Sequence, residues 1–196
     1  MFGRHRSLLW LLAGIGAVGF AADPINTLAP PLAAALGGGD GLVAFLASAF
    51  GVGAATVALG TGRVQRRYGI LNVAQVGSPL LAGGLVAAAA APGPLVALAA
   101  FGVMGGGFLL GVSTFSSALQ RRVNEDLRGR VMALWTVAFL GTRPLAALID
   151  GGMADLFGVR VAFAIPVAVV VGGALVAMRL KRFGSPPHGG QLPPAR

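Results

Sequence analysis

Three ionisable residues stand inside otherwise apolar stretches: Asp23, Arg143 and Asp150. In hydrocarbon a charged side chain is costly, so residues of this kind mark ion or substrate pathways, proton relays or fixed ion pairs. A helical rise of about 1.5 Å per residue puts Asp23 about 22 Å beyond the start of its apolar run at Leu8, and Arg143 about 18 Å beyond the start of its run at Val131. If both runs cross in the same direction, those depths match. Asp150 lies two turns further on. Asp23, Asn26, Arg143 and Asp150 are therefore candidates for binding a polar substrate group or for taking up and releasing a proton. The alternative is a permanent pair of Arg143 with Asp23 or Asp150 that fixes helix packing, with Asp150 also suited to the outer headgroup region.

No second constellation points to chemistry. Glu125, Asp126, Arg128 and Arg130 form a short interfacial segment in which solvated, helix-capping roles fit, with Asn124 placed to cap the helix that follows. His5 and His188 sit in the two tails without partners at metal-ligand spacing, so no metal or cofactor is expected. The chain has no cysteine, which excludes disulfides, thiolate catalysis and cysteine metal sites. Without a nucleophile–base set or a phosphate-cradling loop, enzyme activity is not expected.

The elements that must position these residues are apolar spans. The sequence is 56% hydrophobic and 11% charged, with a mean hydropathy of +0.81, values that belong to an integral membrane protein rather than a soluble domain. A net charge of +9 invites a nucleic-acid reading, but the basic residues are scattered between apolar spans without interleaved stacking aromatics, so no nucleic-acid partner is expected. Alanine and 32 glycines suit helices packed backbone to backbone. The expected fold is an all-α membrane protein with six transmembrane helices. Residues 1–7 form a cytoplasmic segment, and the spans cover about 8–36, 41–62, 70–91, 95–119, 131–149 and 161–178 within a domain of 8–182. Residues 183–196, rich in proline and glycine, read as a disordered cytoplasmic tail. The basic, apolar opening imitates a signal peptide, but its apolar character continues past Ala22, so it reads as the first helix. Pro24, Pro30 and Pro31 are expected to kink that helix. Gly107 and Gly111 form a GxxxG spacing that reads as generic packing.

Basic residues in short loops stay cytoplasmic. With both termini inside, thirteen of the fifteen basic residues are cytoplasmic, only Arg160 is outside, and Arg143 lies within a span. The expected location is the inner or plasma membrane, in contact with the lipid bilayer. Trp10, Tyr68 and Trp135 fall near predicted cytoplasmic interfaces and read as interfacial anchors.

Two segments repeat one pattern. Gly62-x-x-x-Arg66-Arg67-Tyr68-Gly69 joins spans two and three, and Gly151-x-x-x-Asp155-Leu156-Phe157-Gly158 joins spans five and six. Both pairs of glycines are seven positions apart and the segments face opposite sides, which is what an inverted three-plus-three repeat would produce. These segments resemble the G-x-x-x-D-R-x-G-R-R signature of the major facilitator superfamily. VNEDLRGRVMALW, followed by FLGTRPLAALIDGGMADLFGVR, is similar to the second half of its drug and siderophore exporters. The resemblance covers roughly residues 7–182 and corresponds to the last six of that family's twelve helices. It implies that the loop residues latch the cytoplasmic side during alternating access. Gly62, Arg67 and Gly69 match the motif, with Arg66 at its acidic position; Gly151, Asp155 and Gly158 match in the second copy, with Leu156 at its arginine position.

The function implied is transport, by proton-coupled efflux of a small amphipathic molecule. Six helices supply one wall of a pathway that the family builds from two halves. The chain is therefore expected to be a fragment of a longer transporter, ahead of pairing with itself as a homodimer or with a separate six-helix half. A non-transporting membrane protein, either an assembly partner or an inactive remnant, is the alternative.

Overall fold

The computed structural model describes residues 2–120 and 128–183. The segment 121–127, with Asn124, Glu125 and Asp126, and the expected tail from Gly184 lie outside them. Every element among the described residues is a helix: α1 (Phe2–Ala21), α2 (Pro24–Thr27), α3 (Ala29–Ala35), α4 (Asp40–Tyr68), α5 (Ile70–Ala89), α6 (Pro94–Gln120), α7 (Arg128–Phe157), α8 (Val159–Ala162) and α9 (Ala164–Phe183).

The expected first span is a jointed rod. Leu12–Thr27 and Ala29–Ala35 meet at 45°, with Pro24 opening α2 and Pro30 and Pro31 in the first turn of α3. Proline is tolerated in a helix's first turn and breaks the helix before it. α4, α6 and α7 are long and apolar enough to cross a membrane, and the bent rod makes a fourth such element; Val76–Ala89 and Val159–Leu175 are shorter apolar helical stretches. The 29 residues of α4 rise about 43 Å, more than the roughly 30 Å of a hydrocarbon core. The surface suits lipid tails: Leu59, Leu95, Leu148 and Leu156 are each at least 75% exposed.

α6 packs against α5, α4 and α1, while α1 also packs against α7 and α9, and α5 against α9. A core of Leu32, Leu46, Leu81, Leu85, Phe101, Met104 and Phe163 fills the space between these rods. Three of the interfaces bring backbone against backbone, α4 with α6, α1 with α7 and α5 with α6. In α6, Gly105 lies on the carbonyl of Phe50 in α4, and a Cβ at Gly102 would stand 3.6 Å from the carbonyl of Ala49. In α1, Gly19 lies on the carbonyl of Phe139 in α7, and a Cβ at Gly16 would stand 3.3 Å from the carbonyl of Ala138. Only glycine fits at Gly19 and Gly105. The Gly107–Gly111 spacing serves two neighbours, Gly107 meeting the Leu81 backbone of α5 and Gly111 meeting Val18 of α1.

The segments read as loops are mostly helical. α4 continues to Tyr68, so Gly62, Arg66 and Arg67 occupy its last turns, and α7 continues to Phe157, carrying Gly151 and Asp155. The turn in each case is one residue, Gly69 (φ 81, ψ 147) or Gly158 (φ 87, ψ 154). An L side chain is strained in that conformation, so the helix runs on until it meets a glycine able to stop it. Arg66 and Arg67 also complement the negative end of the α4 dipole, which favours the extra turns.

Candidate functional site

Asp23 sits where α1 gives way to α2. It is 4% exposed and accepts a hydrogen bond of 2.5 Å from Thr27 Oγ1, one turn further on. α2 packs against α7, with the Thr27 methyl 3.7 Å from where a Cβ on Gly151 would stand. That contact brings Asp23 within electrostatic range of Asp150. Asp150 is fully buried, and neither of its carboxyl oxygens has a hydrogen-bond partner. An unbonded buried carboxyl group is costly and calls for an explanation beyond packing. Its burial removes Asp150 from the chain's surface, where a headgroup contact would be made.

Arg143 takes a different neighbour from the one expected. Its guanidinium carbon lies 5.2 Å from the centroid of the Phe139 ring, and its Nε is buried without a hydrogen-bond partner. Among the described residues no ion pair joins it to Asp23 or Asp150. The reason is geometric: seven residues separate Arg143 from Asp150 by about 10 Å along α7, and Thr27 already holds Asp23. Asn26 is exposed.

The motif residues separate into two groups. Gly151 adjoins Asp150 and Thr27, so it belongs to the carboxylate site. Gly62, Arg66, Arg67, Gly69, Asp155 and Gly158 are exposed at helix ends, with Arg67 lying 5.6 Å from the Tyr68 ring centroid.

An aromatic ladder links α4, α6 and α7. Phe50 of α4 meets Phe108 of α6 with ring centroids 5.5 Å apart, Phe108 stacks on Phe139 of α7 at 6.1 Å, and Phe139 stacks on Trp135 at 5.0 Å. Trp135 Nε1 donates to Ser116 Oγ of α6 at 3.1 Å. Thr142 Oγ1 donates to the Gly16 carbonyl of α1 at 3.2 Å, linking the same helix to α1. The signal available in the sequence was Trp135, Phe139 and Arg143 at intervals of four, which share one helix face. Elsewhere, Arg160 donates to the carbonyls of Ala89 and Ala91 at 3.1 and 2.9 Å, closing the end of α5.

Apolar helices of membrane-crossing length, with ionisable groups buried between them, define an all-helical multi-pass membrane protein. The chain belongs to the Major Facilitator Superfamily, whose family model matches residues 7–196. Members of that family are transporters. No individual curated protein matches the chain.

Proposed function

We propose that the chain is the six-helix C-terminal half of a proton-coupled exporter of small amphipathic molecules, in which Asp23 and Asp150 hold the exchanged proton. The observation that carries this reading is Asp150, buried without a hydrogen-bond donor beside a second buried carboxyl group. A fixed structural charge at that place would need donors, whereas a carboxyl group can bind a proton at one step of a cycle and release it at another.

The contact pattern supports six spans in two inverted sets of three. The packing of α4 on α6 is matched by that of α7 on α1, and α5 on α6 by α9 on α1, while α1–α6 and α5–α9 map onto themselves. The match extends to single residues. Ala49, Phe50, Gly62 and Gly69 correspond to Ala138, Phe139, Gly151 and Gly158, each 89 positions later. Gly16 and Gly19 correspond to Gly102 and Gly105, each 86 positions later. Corresponding glycines meet corresponding carbonyls. The sidedness of the arginines supports cytoplasmic termini in the plasma membrane. A second six-helix half, covalently joined, separately made or a second copy, completes the pathway.

The test is transport by the complete transporter in proteoliposomes with an imposed pH gradient. Asp150→Asn is expected to reduce gradient-driven transport to background while leaving substrate exchange without a gradient intact. Retained uphill transport would overturn the proton assignment. Because the chain has no cysteine, single cysteines placed in the Gly37–Asp40 turn and after Arg182 report sidedness cleanly. Labelling of both from the same face would overturn the topology.

A further inference from the structure

Arginine cannot discharge itself by losing a proton, so a guanidinium within a membrane span needs partners in every state of the cycle. Arg143 has few. Its face lies against the Phe139 ring, a cation–π contact. Its Nε donates to nothing. The two buried acids do not answer it: Asp23 is held by Thr27, and Asp150 lies two turns further along α7 with neither carboxyl oxygen hydrogen-bonded. Phe139 beneath the guanidinium, with Trp135 and Phe108 stacked on it, is only partly buried, as are those two neighbours, so part of each residue remains uncovered by the chain. A guanidinium with one unpartnered buried nitrogen thus lies at the end of a row of partly exposed aromatic residues.

We propose that Arg143 and the partly exposed rings of Trp135, Phe139 and Phe108 form the binding platform for an anionic amphipath with a planar aromatic body, its carboxylate-like head on the guanidinium and its ring on the ladder. The planar fork of arginine matches a carboxylate in two parallel hydrogen bonds. Stacked and tilted aromatics accept a further ring at the same spacing they use among themselves. Gly19 sets the platform's position, since any side chain there would push Phe139 away from α1. The assignment rests on the transporter reading in one respect, that the bound molecule is the one carried.

Binding is measured without transport, on the full chain in neutral detergent, with Trp10→Phe leaving Trp135 as the one tryptophan. The probes are 2-naphthoate and its cationic counterpart 2-(aminomethyl)naphthalene. Saturable quenching of Trp135 by naphthoate is expected, with the cation binding about tenfold more weakly or worse. Arg143→Gln is expected to weaken naphthoate binding by about tenfold. Arg143→Lys, which keeps the charge and most of the packing, is expected to lose a smaller part, and it decides the matter should the glutamine variant fold poorly. Equal affinity for both probes, or unchanged naphthoate affinity in the arginine variants, would overturn the platform. Micelles containing phosphatidylglycerol are expected not to compete, because that head carries no ring; competition would assign Arg143 to lipid and overturn it equally. A chain that binds naphthoate but transports nothing when complete would sink the transporter reading and leave the platform standing.

Discussion

The interface of α4 with α6 and the interface of α1 with α7 share one backbone arrangement and carry different side chains. In both, two glycines three positions apart lie on two consecutive carbonyls, Gly102 and Gly105 on Ala49 and Phe50, Gly16 and Gly19 on Ala138 and Phe139. Past those carbonyls the pairs diverge. Where α4 has Gly53, Ala54 and Thr61, α7 has Thr142, Arg143 and Asp150 at the equivalent places. The scaffold is doubled and the chemistry is not. Close glycine packing holds both interfaces, so one of them is free to carry groups that a membrane interior would otherwise exclude.

Substitutions at the close contacts should break this equivalence most severely. Gly105→Ala and Gly19→Ala each drive a methyl into a carbonyl, and a loss of about 3 kcal/mol is expected at each, read by unfolding in detergent with increasing SDS. A tolerated alanine at either position, with the other intolerant, would show that the two interfaces are not equivalent.

The corners at Gly69 and Gly158 should respond next. Alanine is expected to cost about 1–2 kcal/mol at each, because both glycines hold a positive φ that L residues adopt with strain. Equal losses sharpen the comparison, and a loss at one corner alone breaks it. Arg160→Gln removes both donors from the Ala89 and Ala91 carbonyls, for an expected loss of about 1 kcal/mol.

The smallest effect is expected at Thr142. Its hydroxyl reaches the Gly16 carbonyl across α1 and α7, while Gly53, its counterpart in α4, has no donor to offer. Thr142→Val should cost well under about 1 kcal/mol, measured against Gly16 unchanged. A large loss would mean that the α1–α7 interface depends on this hydrogen bond rather than on glycine packing.

The sequence marks Asp23, Arg143 and Asp150 by their apolar surroundings, and the all-helical membrane character follows from composition alone. It does not say who faces whom. Distance along a helix can be counted from residue numbers, so Asp23 and Arg143 seemed matched in depth, but the direction each side chain takes depends on how the rods are rotated and on the helix break between Ala21 and Pro24. Thr27, one turn from Asp23, settles the first partner locally, and the packing of α2 on α7 settles the second. The helix ends were misjudged because Gly62 and Gly151 look like stops, whereas a glycine with ordinary helical dihedrals interrupts nothing; the stop comes at the glycines with positive φ. The aromatic ladder joins three helices, and spacing along any one of them does not show which rings meet.

The jointed first rod has a mechanical meaning. Below Ala21 it is gripped on two sides, by Phe139 against Gly19 and by Phe115 against Gly14, and cannot tilt without dragging α7 and α6 along. The bend comes later, at Leu28, so α2 continues the line of α1 and only α3 lies beyond the joint. Asp23 and its partner Thr27 therefore stand on the gripped side of the joint, and the glycine contacts that fix α1 also anchor this acid.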